Sequence, residues 1–169
     1  YISLFRQTPW LIDRLWESPW LLRTVSGRAV QTRPEHLGAL VVSVLEGNNG
    51  HQRKELDKLV HWLRKQSQPD VLDISNSMLI AVAGPLKKAL GCPIVCTLQG
   101  ENIFIDGLLE PYRSRTRRLI QSHLSDVDAF VAVSDYYAGY MSRYLGIPGV
   151  KMHVVPLGVN GDCFVPSPD

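Results

Sequence analysis

The stretch that decides the fold runs from Asp70 to Leu98, "DVLDISNSMLIAVAGPLKKALGCPIVCTL". Val71 to Ile74 is a short run too brief for a helix, and Ser75-Asn76-Ser77 after it is a cluster of turn and capping residues. From Met78 to Leu90 the sequence reads as a helix, with Ser77 placed to cap it and Gly91 where a left-handed residue can close it. Pro85 lies inside, so a kink or early break is expected there, because proline lacks the N–H and collides with the preceding turn. Ile94 to Leu98 is again a strand. Strand, helix and strand at this spacing make a βαβ unit, whose two strands lie parallel in one sheet.

The same alternation extends in both directions. Upstream, the apolar run at residues 39 to 45 in "LGALVVSVLEG" reads as a buried strand leaving through Glu46-Gly47-Asn48-Asn49-Gly50. In "HQRKELDKLVHWLRKQ", Leu56, Leu59, Val60 and Leu63 form one stripe of a helix whose other face is charged. Downstream, "LLEPYRSRTRRLIQSHL" predicts a helix with Tyr112, Leu119, Ile120 and Leu124 inward and Arg113, Arg115, Arg117 and Arg118 outward. "DAFVAVSD" predicts a strand, "YYAGYMSRYLG" a helix capped by Ser134 or Asp135 and closed by Gly146, and "KMHVVP" a fifth strand. Near-continuous apolar strands with short connections predict an α/β fold: a Rossmann-like, mostly parallel sheet with helices on both faces. The expected division is an aromatic-rich helical segment at residues 1–38 and a Rossmann-like domain at residues 39–169.

Composition excludes several classes. In 169 residues, 18 basic and 16 acidic side chains nearly cancel, which gives no electrostatic case for nucleic acid. Three cysteines without CxxC spacing indicate neither a disulfide framework nor a zinc site, and reduced thiols fit a cytoplasmic protein. His36, His51, His61, His123 and His153 show no metal-ligand pattern, so no metal is expected. The Rossmann G-x-G-x-x-G, the P-loop and G-x-S-x-G are all absent, which disfavours dinucleotide oxidoreductases, P-loop phosphoryl transfer and α/β-hydrolases. No cofactor is expected.

In an open α/β sheet, ligands sit beyond the carboxyl ends of the strands. The exits there are polar throughout: Glu46-Gly47-Asn48, Ser75-Asn76-Ser77, Gln99-Gly100-Glu101-Asn102, Ser134-Asp135 and Leu157-Gly158. Strand-to-helix turns need caps and glycines in any case. Polar groups at every exit of one edge suit a hydroxyl-rich ligand such as a sugar.

Three segments, "CPIVCTLQGENIFIDGL", "DVDAFVAVSDYYAGYMSRYLGIP" and "KMHVVPLGVNGDCF", resemble in order and spacing the second half of the N-terminal domain of family-4 (group 1) glycosyltransferases of the GT-B fold. The last is similar to a strand and loop that usually reads V-x-P-x-G-V-D with a Phe beyond it; Asn160 replaces the Asp, and Phe164 is present. The resemblance covers roughly residues 39 to 165. It implies transfer of a sugar from an activated, nucleotide donor to a sugar or lipid-linked acceptor, with retention of anomeric configuration. It also implies a second domain that binds the donor and carries an acidic E-x7-E motif. These residues contain no such motif, so the chain is expected to be a trimmed piece, inactive alone, that contributes the acceptor side of the interdomain cleft.

The acceptor-side residues implied are Asn76, Gln99, Gly100, Glu101, Asn102, Ser134 and Asp135. Family members often present a His beside a Gly after the third strand. Gln99 stands there instead, and it can hydrogen-bond a hydroxyl but cannot act as a general base. Glu101 is open to two roles, an ionised group in the cleft or a capping residue of the loop. The alternative to the whole reading is a non-catalytic Rossmann-like module for ligand binding or interaction.

Two further features bear on partners. Trp10, Trp16 and Trp20 with their leucines suit either packing on the domain or a peripheral seat on the inner face of a membrane. The four arginines of residues 113–118 suit a solvated face or, as the lesser option, anionic lipid. Exposed sheet edges at the trimmed ends lead to the expectation that the piece self-associates.

Overall fold

A computed structural model describes residues 37–158 and Gly161. The tryptophans at 10, 16 and 20, His36, Asn160 and Phe164 lie outside the described residues. In chain order the elements are α1 (Gly38–Leu45), α2 (Arg53–Leu63), β1 (Leu72–Ile74), α3 (Ala83–Leu90), β2 (Ile94–Thr97), α4 (Glu101–Asp106), α5 (Tyr112–Ser122), β3 (Ala129–Ala132), α6 (Asp135–Leu145) and β4 (Met152–Val154), with short 3-10 turns between some of them.

The strands form one parallel sheet in the order β1-β2-β3-β4. Ile74 lies opposite Cys96, Cys96 opposite Phe130, and Phe130 opposite Met152. This is the α/β, Rossmann-like arrangement that the alternating periodicity indicates. Because side chains alternate along a strand, residues in register share a face. Ile74, Ile94, Cys96, Phe130 and Ala132 are therefore buried together. They join Leu45 of α1, Leu86 of α3, Ile105 of α4, Ile120 of α5, and Met141 and Leu145 of α6 in one apolar core. On the opposite face Asp73 and His153 are exposed and Val95, Thr97, Ala129 and Val131 half-buried among the described residues. Thr97 Oγ1 donates there to Asp73 Oδ1 at 2.9 Å. Each strand pairs with its successor, so right-handed crossovers all step in one direction, and among the described residues α1, α3, α4, α5 and α6 pack on the one face that carries Ile74, Cys96 and Phe130, not on both faces as the sequence suggests.

Residues 39–45 correct the sequence reading: they are α1, not a strand, and the sheet has four strands among the described residues rather than five. Val41 N donates to Leu37 O and Glu46 N to Val42 O, and the buried positions Gly38, Val42 and Leu45 fall at helical spacing while Leu40 is exposed. A short apolar run rich in valine carries no period that separates a strand from one side of a helix. Packing decided it. Gly38 lets α1 approach α5 so closely that a Cβ there would lie 2.5 Å from the Tyr112 side chain. Glu46-Gly47-Asn48 is accordingly a helix exit and not a strand exit.

The unit around Pro85 behaves as its chemistry requires. After β1 the chain runs through a 3-10 turn, Ser77–Val82, and only then becomes α3. Pro85 thus stands in the first turn of α3, where a missing N–H costs nothing. Asn76, not Ser77, is the cap: its Oδ1 accepts from Met78 N at 2.8 Å. Gly91 (φ +70°) and Gly146 (φ +75°) close α3 and α6 in the left-handed conformation. In α2, Leu56 is buried and Val60 and Leu63 pack on the core, but Leu59 is exposed.

Gly50 and Gly91 separate two kinds of glycine requirement. At Gly50 a Cβ would collide with the Ser43 carbonyl oxygen, whereas at Gly91 it would meet nothing within 4 Å and only the backbone angle is strained. Gly50→Ala is expected to cost about 3 kcal/mol or more by overpacking against backbone, and Gly91→Ala about 1–2 kcal/mol through its left-handed angle. Urea denaturation of the two variants checks the order.

Candidate functional site

Parallel strands deliver their carboxyl ends to one edge, and three of the exits here are tied together by a single carboxylate. Glu101, the first residue of α4, is 2% exposed. Its Oε1 accepts from Ser77 N, beyond β1, at 2.8 Å. Its Oε2 accepts from Gln99 N, beyond β2, at 2.7 Å. The Tyr137 hydroxyl, on α6 beyond β3, lies 3.1 Å from Oε2 and 3.3 Å from Asn102 Oδ1. That hydroxyl also accepts from Gly100 N at 2.6 Å. A phenol has one proton to give, so it serves Glu101 or Asn102 while receiving the Gly100 amide. Burial, and then the facing Glu101 charge, push the Tyr137 phenol well above its ordinary value and keep that proton in place.

Local chemistry explains the placement. Gly100 takes φ +90°, a left-handed turn open to glycine, between the exposed Gln99 and the buried Glu101. Ser134, in extended backbone, caps α6 by accepting from Tyr137 N at 3.2 Å. The same contact brings Tyr137 toward the β2 exit. Asp135 begins α6 and is exposed.

The residues expected from sequence therefore fall into two groups. Glu101, Gly100, Asn76 and Ser134 hold the edge together through buried, turn or capping contacts. Gln99 and Asp135 are exposed and Asn102 is half-buried beside the tyrosine hydroxyl. Of the two roles open to Glu101, the structure gives it the loop-holding one. Sequence reading missed Tyr137, whose signal was its place three residues after the helix cap Ser134. It also missed that Ser77 contributes its backbone N–H, while its own hydroxyl is buried without a hydrogen-bond partner.

Elsewhere, polar side chains are structural. Cys96 lies in the core beneath the edge, and burial pushes its thiol far up, which makes it unreactive. His123 bridges Leu45 O at 3.1 Å and Asp126 Oδ2 at 3.3 Å. Among the described residues no group of three or more His, Cys, Asp or Glu is placed to hold a metal ion. The arginine face of α5 is mostly engaged within the molecule. Arg113 pairs with Glu110 at 2.9 Å; Arg115 pairs with Glu46. Arg117 donates to Tyr144 O at 3.0 Å and lies 4.4 Å over the Tyr144 ring, while Arg118 is exposed.

Glu101→Gln isolates the carboxylate. One amide oxygen cannot serve Ser77 N, Gln99 N and the Tyr137 hydroxyl, and the NH₂ group faces one of these donors, so a buried N–H loses its acceptor. The expected destabilisation is about 2–3 kcal/mol, read from chemical denaturation, with no change in the slope against denaturant.

Comparison with known proteins gives one family. The model of Glycosyltransferase Family 4 matches residues 11–162, a span that begins upstream of the segments that carry the resemblance. Searches of curated proteins and of solved structures gave no match.

Proposed function

The chain belongs to glycosyltransferase family 4, as an N-terminal domain of the GT-B type, and we propose that its strand-exit edge is the acceptor side of the interdomain cleft. The observation that carries this reading is the division of labour at Gln99. Its backbone N–H is held at 2.7 Å by a buried carboxylate, while its side chain is exposed at the edge. A fixed backbone with an uncommitted amide is what alignment of a hydroxyl needs, since orienting the acceptor contributes to rate only if the orienting group is itself immobile.

In this reading Gln99, Asn102 and Asp135 meet acceptor hydroxyls, and Asn76, Gly100, Glu101 and Ser134 hold them in place. The donor, a sugar nucleotide, is bound by the second domain of the GT-B architecture. That domain supplies the groups that neutralise the leaving phosphate and complete a retaining transfer when the two close together. Glu101 is no candidate for the acid or base of the reaction, because its oxygens are occupied by Ser77 N, Gln99 N and Tyr137 OH. Residues 1–169 by themselves accordingly bind an acceptor without turning over a sugar nucleotide. The cytoplasmic location expected from the reduced thiols is kept as part of this reading, and Cys92 and Cys96 are free. No helix among the described residues is long and apolar enough to cross a membrane, and the pairing of Arg113, Arg115 and Arg117 disfavours α5 as an anionic-lipid surface.

The test is Gln99→Ala in the full chain that carries this domain. Loss of one neutral hydrogen bond to the acceptor is expected to raise the acceptor KM roughly threefold to tenfold, with the donor KM unchanged. An unchanged acceptor KM, or an effect confined to the donor, overturns the assignment.

A further inference from the structure

The phenol of Tyr137 has more oxygen neighbours than it has protons to give. Gly100 N donates to its oxygen at 2.6 Å, while Glu101 Oε2 lies at 3.1 Å and Asn102 Oδ1 at 3.3 Å. Burial, and after it the Glu101 charge, keep the phenol protonated, and that one proton makes one strong bond. A bond to an ionised acceptor is about twice as strong as one to a neutral acceptor, so the proton goes to Glu101. Asn102 Oδ1 then faces an oxygen with nothing to donate. Two acceptors in contact at a half-buried side chain cost what an unmade hydrogen bond costs. A half-turn about the Asn102 Cβ–Cγ bond exchanges the two ends of the amide with almost no change of shape. It brings Nδ2 to the remaining lone pair of the phenol, at a separation nearer to that of an N–H···O bond, about 2.7–3.2 Å, than to that of an O–H···O bond, about 2.5–3.0 Å. The Asn102 side chain has no other hydrogen-bond partner among the described residues to oppose the turn.

The phenol is then fully used: it receives the Gly100 and Asn102 N–H groups and gives its own proton to Glu101. The far end of the amide, Asn102 Oδ1, is turned away from it. Resting on the acceptor-side reading, we propose that Tyr137 is a positioning residue that sets the Asn102 amide so that its carbonyl oxygen, and not its NH₂ group, is offered to an acceptor hydroxyl. A hydroxyl bound in this way donates its proton to Asn102 Oδ1 and keeps its own lone pairs free, which suits an oxygen that has to act as a nucleophile. A group that only accepts, such as an ether oxygen or a fluorine, finds no partner there. Tyr137 thereby selects for a free hydroxyl through a residue 35 positions away, without touching the ligand itself.

The experiment uses the full chain that carries this domain, followed by NMR, with methyl glycosides of glucose, galactose and mannose and their monodeoxyfluoro analogues as probes. Without ligand, one Asn102 Nδ2 proton is expected to give a strong Overhauser contact to a Tyr137 Hε ring proton and to move upfield in Tyr137→Phe, which cannot accept its hydrogen bond. With ligand, fluorine in place of the hydroxyl at one ring position is expected to weaken binding roughly fivefold to tenfold, the size of one neutral hydrogen bond, and Asn102→Ala to abolish that penalty. In Tyr137→Phe the amide turns freely and offers either end, so the penalty is expected to fall below about threefold. A merely structural loss weakens the hydroxyl and fluorine compounds alike and leaves their ratio unchanged. If Tyr137→Phe does not fold, the Overhauser contact and the Asn102→Ala ratio decide. A missing contact, a fluorine series with no penalty that depends on Asn102, or a ratio unchanged in a folded Tyr137→Phe overturns the proposal. Where glycosides still shift the Gln99 amide, the acceptor-side reading survives that failure. If no glycoside shifts either the Gln99 or the Asn102 amide, the acceptor-side reading falls and takes the proposal with it, even with the Overhauser contact present.

Discussion

The rest of the edge depends on one buried carboxylate. Taking the Glu101 side chain out of water costs several kcal/mol, a loss that only well-aligned donors offset. The fold supplies three, Ser77 N, Gln99 N and the Tyr137 hydroxyl, each from a different strand exit. Such charge-assisted bonds are about twice as strong as neutral ones. Three loops that would otherwise move separately are therefore held to a common point. The sheet sets the spacing of the exits through its parallel register, and Glu101 fixes what lies beyond it.

This arrangement also decides what the edge can do. The backbone amides of Ser77, Gln99 and Gly100, which in many α/β proteins cradle a phosphate, are already spoken for by Glu101 and Tyr137. What remains accessible includes the exposed side chains of Gln99 and Asp135, polar groups suited to hydroxyls. The acceptor-side role proposed above draws on that inventory and is compatible with membership of glycosyltransferase family 4.

The fold was legible because a βαβ unit writes itself into sequence through runs, caps and breakers. Gly91, Gly146 and Pro85 act where their backbone chemistry demands. The misreading of residues 39–45 has a physical cause: a valine-rich run contains no period, and the close contact of Gly38 with Tyr112 that makes it helical is invisible without the tertiary structure. The candidate site was half legible. Its residues could be named because strand exits are where open α/β sheets place ligands, but which of them hold the edge together and which are left exposed could not. Whether Glu101 faces the cleft or the interior turns on the left-handed turn at Gly100 and on a tyrosine 36 positions away. Local sequence does not encode such a pairing.

Amide hydrogen exchange tests the central claim most directly. If Glu101 pins the three exits, the N–H groups of Ser77, Gln99 and Gly100 exchange slowly although they lie in loops, with opening free energies close to that of global unfolding, and Glu101→Gln accelerates all three together. Exchange at the rate of exposed loop amides, or a change at only one of the three sites in the variant, would contradict the account.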